Sequence, residues 1–240
     1  MKADKNFDFY EFAGIVMPGA VLIFGLAQAE TLIAQTIPLT DMSLGSLGVF
    51  LILAYAAGHL VQTLGGFLEK AWWYKHGMPS DWILKDEFKL ISSAQRSALA
   101  SQLPAKLGLT EPVDFAMTKK SEWFGYVRQM YAAVAAKGRA SRIDTFNGNY
   151  GLNRGLCVSL ILVAIVALIK APSNWGTVIL LLVGAALAAL RMHRFGKHYA
   201  RELLVQFLQL PMPSPSGDDK PDEKASEDAT NSTKEDKEHE

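Results

Sequence analysis

The stretch Leu44–Gly66, LGSLGVFLILAYAAGHLVQTLGG, decides the structural class of this protein. It carries no formal charge, and at about 1.5 Å of rise per helical residue it is long enough to cross a hydrocarbon core about 30 Å thick. A segment of this length and composition is typical of a transmembrane helix. We therefore expect an integral membrane protein.

Three further apolar stretches bring the predicted number of spans to four. Phe12–Ala29 precedes Leu44–Gly66 in the chain, and Gly155–Ile169 and Trp175–Leu190 follow it. The last two are short enough to be buried core helices instead. Cations flank both of them, however, and long cationic side chains can reach the interfaces and lengthen the effective span. The predicted fold class is all-α, a polytopic membrane protein with four transmembrane helices.

This pattern divides the chain into five segments. They are residues 1–66 with the N-terminal segment and two spans, 67–154 as a helical cytoplasmic loop subdomain, 155–190 as a transmembrane hairpin, 191–210 as a basic amphipathic helix, and 211–240 as a disordered acidic tail. The tail prediction rests on ten acidic and four basic residues between Asp218 and Glu240, with no large apolar side chain among them.

The positions of Lys and Arg predict the orientation, because cytoplasmic loops carry the excess of these residues. The connection 29–43 carries none, whereas 69–154 carries thirteen, and further cations lie before the first span and after the fourth. Both termini and the large loop are therefore predicted to be cytoplasmic. The compact size and short connections favour a multi-pass protein of a bacterial inner membrane.

Two helices are predicted inside the loop. Ser92 and Gln95 form an S-x-x-Q capping box, and this helix is expected to stop near Leu103, before Pro104. The second helix lies within 121–138 and has an apolar stripe at helical spacing that Phe124 and Tyr131 widen, with Gly138 as its stop. The stripe consists of Trp123, Val127, Met130 and Val134.

The segment after the fourth span has cations on one arc and large apolar side chains on the opposite arc. This pattern favours an interfacial helix that lies on the membrane surface. Packing against the loop subdomain and binding to a partner protein are the alternatives. Gly196 is a candidate hinge between this helix and the fourth span.

A polar stripe interrupts the apolar surface of the second predicted span. Its members recur at helical spacing and share one face; they are Gly48, Tyr55, His59, Gln62 and Gly66. Polar side chains avoid lipid, so this face is expected to contact protein or a wet cavity. In one interpretation the glycines allow close helix packing and the polar groups bond across the interface. In the other, His59 titrates and lines or gates a conduction path.

The first span contains a predicted kink. Pro18 has no N–H to donate to the carbonyl of Gly14, and Gly19 follows it directly. A kink at Gly14, Pro18 and Gly19 could serve as a hinge, although proline is common in membrane helices and structural accommodation also explains it.

Two groups of cations border the third and fourth spans. They are candidates for contact with anionic lipid or another anionic ligand, because guanidinium groups match phosphate geometry; plain positive-inside flanking charge is the alternative. The residues are Arg139, Arg142, Arg154, Arg191, Arg194, Lys197 and Arg201. Asn147-Gly148 is a turn signal just before the third span.

The composition and motifs exclude several function classes. Lys plus Arg equals Asp plus Glu at 24 each, which gives no reason to expect nucleic acid as a partner. The lone Cys157 excludes a multi-cysteine metal site, and the sequence contains no HExxH, GxxxxGK or GxSxG motif. No catalytic residue, metal or cofactor is predicted.

Three functional hypotheses remain. The first is a non-catalytic oligomeric membrane protein, in one version a pore or membrane-perturbing component controlled by its cytoplasmic subdomain. The second is a membrane anchor or scaffold that recruits a cytoplasmic protein, for example in a stress or phage-defence module. The third is an enzyme that acts on lipid. The expected partners are the bilayer, further copies of the chain and, in the second hypothesis, the recruited protein.

Overall fold

The computed structural model describes residues 9–29, 44–85 and 89–213. The regular structure in these ranges is entirely helical. The helices are α1 (Phe9–Ala29), α2 (Leu44–Trp73), α3 (Ser93–Leu107), α4 (Lys120–Ala136), α5 (Ser141–Lys170) and α6 (Trp175–Leu208), with a short 3-10 helix at Pro79–Leu84. The predicted disordered tail lies outside the described residues from 214 onward, as does most of the 29–43 connection.

Three of these helices are long and apolar enough to cross a membrane. They are Gly45–Trp73 of α2 and the whole of α5 and α6. The apolar part of α1, Gly14–Gln28, is shorter. The chain is thus an all-helical protein with the features of a membrane protein, as the Leu44–Gly66 stretch predicts.

The apolar halves of α1, α2, α5 and α6 form a helix bundle in which α1 packs against α2 and α5. Helices α1 and α2 cross at glycines. A Cβ atom at Gly19 would overlap the carbonyl oxygen of Ala54, and one at Gly58 would overlap that of Ile15. Such backbone proximity is the usual way in which small residues hold membrane helices together.

Residues of the predicted loop subdomain contribute most of the larger hydrophobic core of the described residues, and the segment 191–210 contributes the rest. The predicted stripe of α4 lies in it as expected, since Trp123, Met130 and Val134 are fully buried and Val127 is almost so. Phe124, which was expected to widen that stripe, is instead 61% exposed. Gly138 adopts the left-handed conformation (φ +68°) just after the helix, as its predicted role as the stop requires.

The capping box of α3 is also present. Ser92 Oγ accepts a hydrogen bond from the Gln95 amide, and Gln95 Oε1 accepts one from the Ser92 amide at 3.0 Å. The predicted end of this helix is wrong, because α3 continues through Pro104 to Leu107 and ends at Gly108 (φ +66°). One proline near a C-terminus removes a single hydrogen bond, and the burial of Leu103 in the core offsets that loss.

Helices α5 and α6 are longer than their predicted spans. The expected turn at Asn147-Gly148 does not form, because α5 begins at Ser141 and runs through it. The carbonyls of Thr145 and Asn149 accept hydrogen bonds from the side chains of Asn149 and Asn153, so these asparagines are accommodated within the helix.

The segment 191–210 is not a separate helix on a surface. It continues α6 without a break at Gly196, and Leu203, Leu204 and Phe207 are buried in the core of the loop subdomain. The favoured interpretation as an interfacial helix is therefore wrong, and the alternative of packing against the loop subdomain is correct. Lys106 of α3 secures the end of α6 by donating to the carbonyl oxygens of Phe207 (3.0 Å) and Leu208 (2.8 Å).

Candidate functional site at the inner end of the bundle

A network of polar side chains joins α1, α2 and α5 where the apolar bundle meets the loop subdomain. It starts from Pro18, which leaves the carbonyl of Gly14 without its helical donor. The Gln62 side chain replaces that donor, with Nε2 2.7 Å from Gly14 O and 3.1 Å from Gly151 O. One amide therefore connects three helices. We call this network the polar junction and define it by Gln62, Glu69, Tyr150, Arg154 and Trp73.

Arg154 is the centre of the polar junction. It donates from Nη2 to Gln62 Oε1 at 2.9 Å, and its Nη1 forms an ion pair with Glu69 Oε2. Only 21% of the Arg154 side chain and 25% of the Glu69 side chain are exposed, so the pair is partly shielded from solvent. Charges in such a position attract each other more strongly than they would at the surface. The pair therefore ties α2 to α5.

The remaining two members of the junction extend it toward the loop subdomain. Trp73 Nε1 donates to Tyr150 Oη at 3.0 Å, and the guanidinium of Arg154 lies 5.8 Å from the centre of the Tyr150 ring. Trp73 and Tyr150 also belong to the core of the loop subdomain. The junction is thus continuous with that core.

A cavity of about 850 Å³ opens beside the junction. Glu69, Tyr150 and Arg154 line one wall, and Asp81 and Lys120 of the loop subdomain line another, with 2.9 Å between Lys120 Nζ and Asp81 Oδ2. Each carboxylate that lines the cavity faces a cation, Glu69 facing Arg154 and Asp81 facing Lys120. Paired charges of this kind suit holding helices together better than they suit proton transfer.

Only one member of the predicted polar stripe lies in the junction. Gln62 does, whereas Tyr55 (47% exposed) and His59 lie on the outer surface of the chain, with ring centres 4.6 Å apart. A Cβ atom at Gly48 or Gly66 would meet nothing within 4 Å. Within one chain, Gln62 is therefore the packed position of the stripe. The other four members form an open face of α2, and they are Gly48, Tyr55, His59 and Gly66. The role of His59 stays a prediction.

The predicted hinge residues are all contact points. Besides the contacts of Gly14 and Gly19, the Pro18 carbonyl accepts a hydrogen bond from the buried Ser159 Oγ at 2.8 Å. A Cβ atom at Gly155 would lie 2.7 Å from the Pro18 ring, so α5 accommodates the proline with a glycine. Hinge motion at this position stays a prediction.

The predicted anion-contact residues do not form one cluster around Arg154. Arg142 Nε lies 3.7 Å from Glu202 Oε2, Arg139 donates to the carbonyl of Gln209, and Arg201 donates to that of Leu90. The other three, Arg191, Arg194 and Lys197, lie on the part of α6 that follows its apolar segment. Contact of these seven residues with an anionic ligand stays a prediction.

The sequence interpretation missed Glu69, Tyr150 and Trp73. A usable signal existed for two of them, since Glu69 and Trp73 follow Gln62 by seven and eleven residues and so share its helix face. The predicted stripe ends at Gly66, the last residue of the Leu44–Gly66 stretch.

The described residues hold no group of three or more His, Cys, Asp or Glu side chains placed to bind a metal ion. Comparison of the chain with protein-family models, curated proteins and solved structures gives no match.

Proposed function

We propose that this chain is a non-catalytic, four-span membrane protein that self-associates through the open face of α2, with its loop subdomain and both termini in the cytoplasm. In the assembly, the α2 faces would surround a conduction path whose state depends on the loop subdomain. The observation that carries the proposal is the Tyr55–His59 pair, which lies exposed within the uncharged Leu44–Gly66 stretch.

Lipid offers no hydrogen-bond partners to the tyrosine hydroxyl or to the imidazole nitrogens. A second copy of the chain, or water enclosed by several copies, does. Gly48 and Gly66 border the pair without filling space, so another helix can approach closely at both ends. These features favour a protein-facing or water-facing surface over a lipid-facing one.

Four spans are proposed because α1, although shorter in its apolar part, lies between α2 and α5 in the bundle. Its Val16 and Ala27 are almost fully buried there. Control by the loop subdomain is supported by the continuity of α5 and α6 through both regions and by the ion pair of the polar junction. A shift in the loop subdomain would be transmitted to the spans through these rigid connections.

The test combines size and flux measurements on the full chain. Native mass spectrometry in detergent should give a homo-oligomer, and the double variant Tyr55→Leu/His59→Leu should weaken it. Liposomes with the wild-type chain should pass small ions, and His59→Ala should change that flux. Substitution of Leu60 by Ala, an exposed apolar neighbour, serves as the control. A monomeric chain would contradict self-association, and an oligomer with no flux at any pH would contradict the conduction path.

A second candidate is a scaffold that recruits a cytoplasmic protein. The observation that favours it is the exposure of Phe124 (61%) and Met117 (80%) on the loop subdomain, since large apolar side chains at a surface often mark protein contacts. Pull-down of a defined partner that is lost in Phe124→Ser/Met117→Ser, but kept in Tyr55→Leu/His59→Leu, would favour the scaffold over the oligomer.

A further inference from the structure

Five aromatic side chains enclose a cavity of about 410 Å³ beside the polar junction. We call it the tryptophan cage and define it by Trp72, Trp73, His76, Trp82 and His193. The rings meet at different angles: Trp73 lies at 71° to Trp82 (ring centres 6.0 Å apart) and stacks on His193 at 21° (4.9 Å). Trp72 lines the cavity at 65° to His193 and is 37% exposed, so the cage is accessible from outside.

Each indole N–H group of the cage already donates a hydrogen bond. Trp73 donates to Tyr150, Trp82 donates to the carbonyls of His76 and Gly77, and Trp72 donates to His193 Nδ1 at 3.2 Å. The bond to His193 Nδ1 favours the neutral form of this imidazole, because Nδ1 can accept only when it carries no proton. The cavity is therefore lined by aromatic rings whose indole N–H groups are already bonded. The electron-rich faces of aromatic rings attract cations and disfavour anions.

Two helices independently place the cage at the depth of lipid headgroups. The uncharged run of α2 continues beyond Gly66 to Leu68, the residue before Glu69 and four residues before Trp72. The uncharged run of α6 ends at Leu190, three residues before His193. At about 1.5 Å per residue, the cage begins roughly 5 to 6 Å beyond the apolar segments. Tryptophan is enriched at this level of membranes, where one side of a ring is apolar and the other is wet.

The surrounding charge selects among cationic occupants. Lys197 lies one helical turn beyond His193, and Arg194 directly follows His193 in the sequence. Lys75 lies three residues after Trp72. These cations oppose a lone ammonium ion but favour a phosphate next to the cage. A ligand that carries an ammonium and a phosphate a few bonds apart satisfies both requirements.

We propose that the tryptophan cage binds the ammonium group of a zwitterionic phospholipid, with the lipid phosphate on the neighbouring cations. Ethanolamine and choline headgroups share this chemistry. The inference depends on insertion of the chain in a membrane, which belongs to the proposed function, but not on self-association or conduction.

The test uses the full chain in a maltoside detergent and counts bound lipid by native mass spectrometry. The probes are phosphatidylcholine, phosphatidylethanolamine and phosphatidylglycerol with the same acyl chains. The first two should bind at least about fivefold more tightly than the third, which has the phosphate but no ammonium. Binding of only one of the two would identify the headgroup and still support the proposal. Equal binding of all three, or a preference for phosphatidylglycerol, would overturn it.

Variants locate the site. Trp72→Leu should weaken phosphatidylcholine or phosphatidylethanolamine binding about fivefold to tenfold, whereas Trp72→Phe, which keeps a ring face, should retain most of it. Trp175→Leu is the matched control, because Trp175 is 60% exposed at the opposite end of α6. Unchanged binding in Trp72→Leu, or an equal loss in Trp175→Leu, would overturn the proposal. Because bound lipid is counted per chain, a monomer that prefers ammonium lipids would contradict the proposed oligomer without affecting this inference.

Discussion

At the scale of single residues, the polar junction shows how one proline is accommodated inside an apolar helix bundle. Pro18 removes a donor from α1, and the Gln62 amide of α2 supplies a replacement to Gly14. The same side chain accepts from Arg154, which is in turn paired with Glu69. Each polar group here depends on the next, so the junction should respond to substitution as a unit.

Gln62→Leu tests this dependence. The substitution leaves the carbonyl of Gly14 and one guanidinium nitrogen of Arg154 without their partner, and the carbonyl of Gly151 keeps only its helical bond. A buried group without a partner costs about 1–3 kcal/mol. We expect the free energy of unfolding to fall by about that amount, measured by thermal or denaturant unfolding in detergent. Thr63→Val is the control, because the exposed Thr63 hydroxyl bonds only within its own turn, to the carbonyl of His59. Equal effects of the two substitutions would contradict the role of Gln62.

At the scale of helices, the packing of α2 depends on which of its glycines face α1 and α5. Gly58 lies against the backbone of Ile15, and Gly65 lies against the Arg154 side chain. Gly48 and Gly66 have open space where a side chain would be. Amino-acid composition alone does not distinguish the packed glycines from the open ones. Substitution by alanine is nevertheless expected to change stability in opposite directions at the two kinds of position.

Gly58→Ala should destabilise the bundle by several kcal/mol or prevent its assembly, because α1 would have to move away along its length. Gly66→Ala should be neutral or stabilise the single chain by about 0.5–1 kcal/mol, since alanine is the better helix former. Unfolding in detergent gives both values. In the proposed oligomer Gly66 borders a contact between copies, so Gly66→Ala should also lower the oligomer size. A loss of single-chain stability as large as that of Gly58→Ala would contradict the open position of Gly66.

At the scale of the molecule, the spans and the loop subdomain share one structural framework. The core of the loop subdomain contains Ile143 and Tyr150 of α5 and Met192, Leu203 and Phe207 of α6. These helices also form half of the apolar helix bundle. The loop is therefore not an independent domain attached to an anchor.

Expression of the loop without α5 and α6, as residues 69–140, tests this conclusion. The fragment lacks the apolar side chains that α6 contributes, so Leu99, Leu103 and Trp123 would lose much of their cover. We expect poor solubility, weak helical circular dichroism and rapid proteolysis. A fragment of residues 69–140 that unfolds cooperatively would show that the loop has its own sufficient core.

The sequence by itself determined the helical class, the apolar segments, the capping box at Ser92 and the buried stripe of α4. These features depend on local composition and on helical periodicity, which neighbouring residues in the chain specify. Only the tertiary structure decided the course of α6, the partners of Gln62 and the convergence of Trp72, Trp82 and His193. An amphipathic surface is equally suited to lipid or to protein, and a contact between residues more than a hundred positions apart leaves no trace in local periodicity.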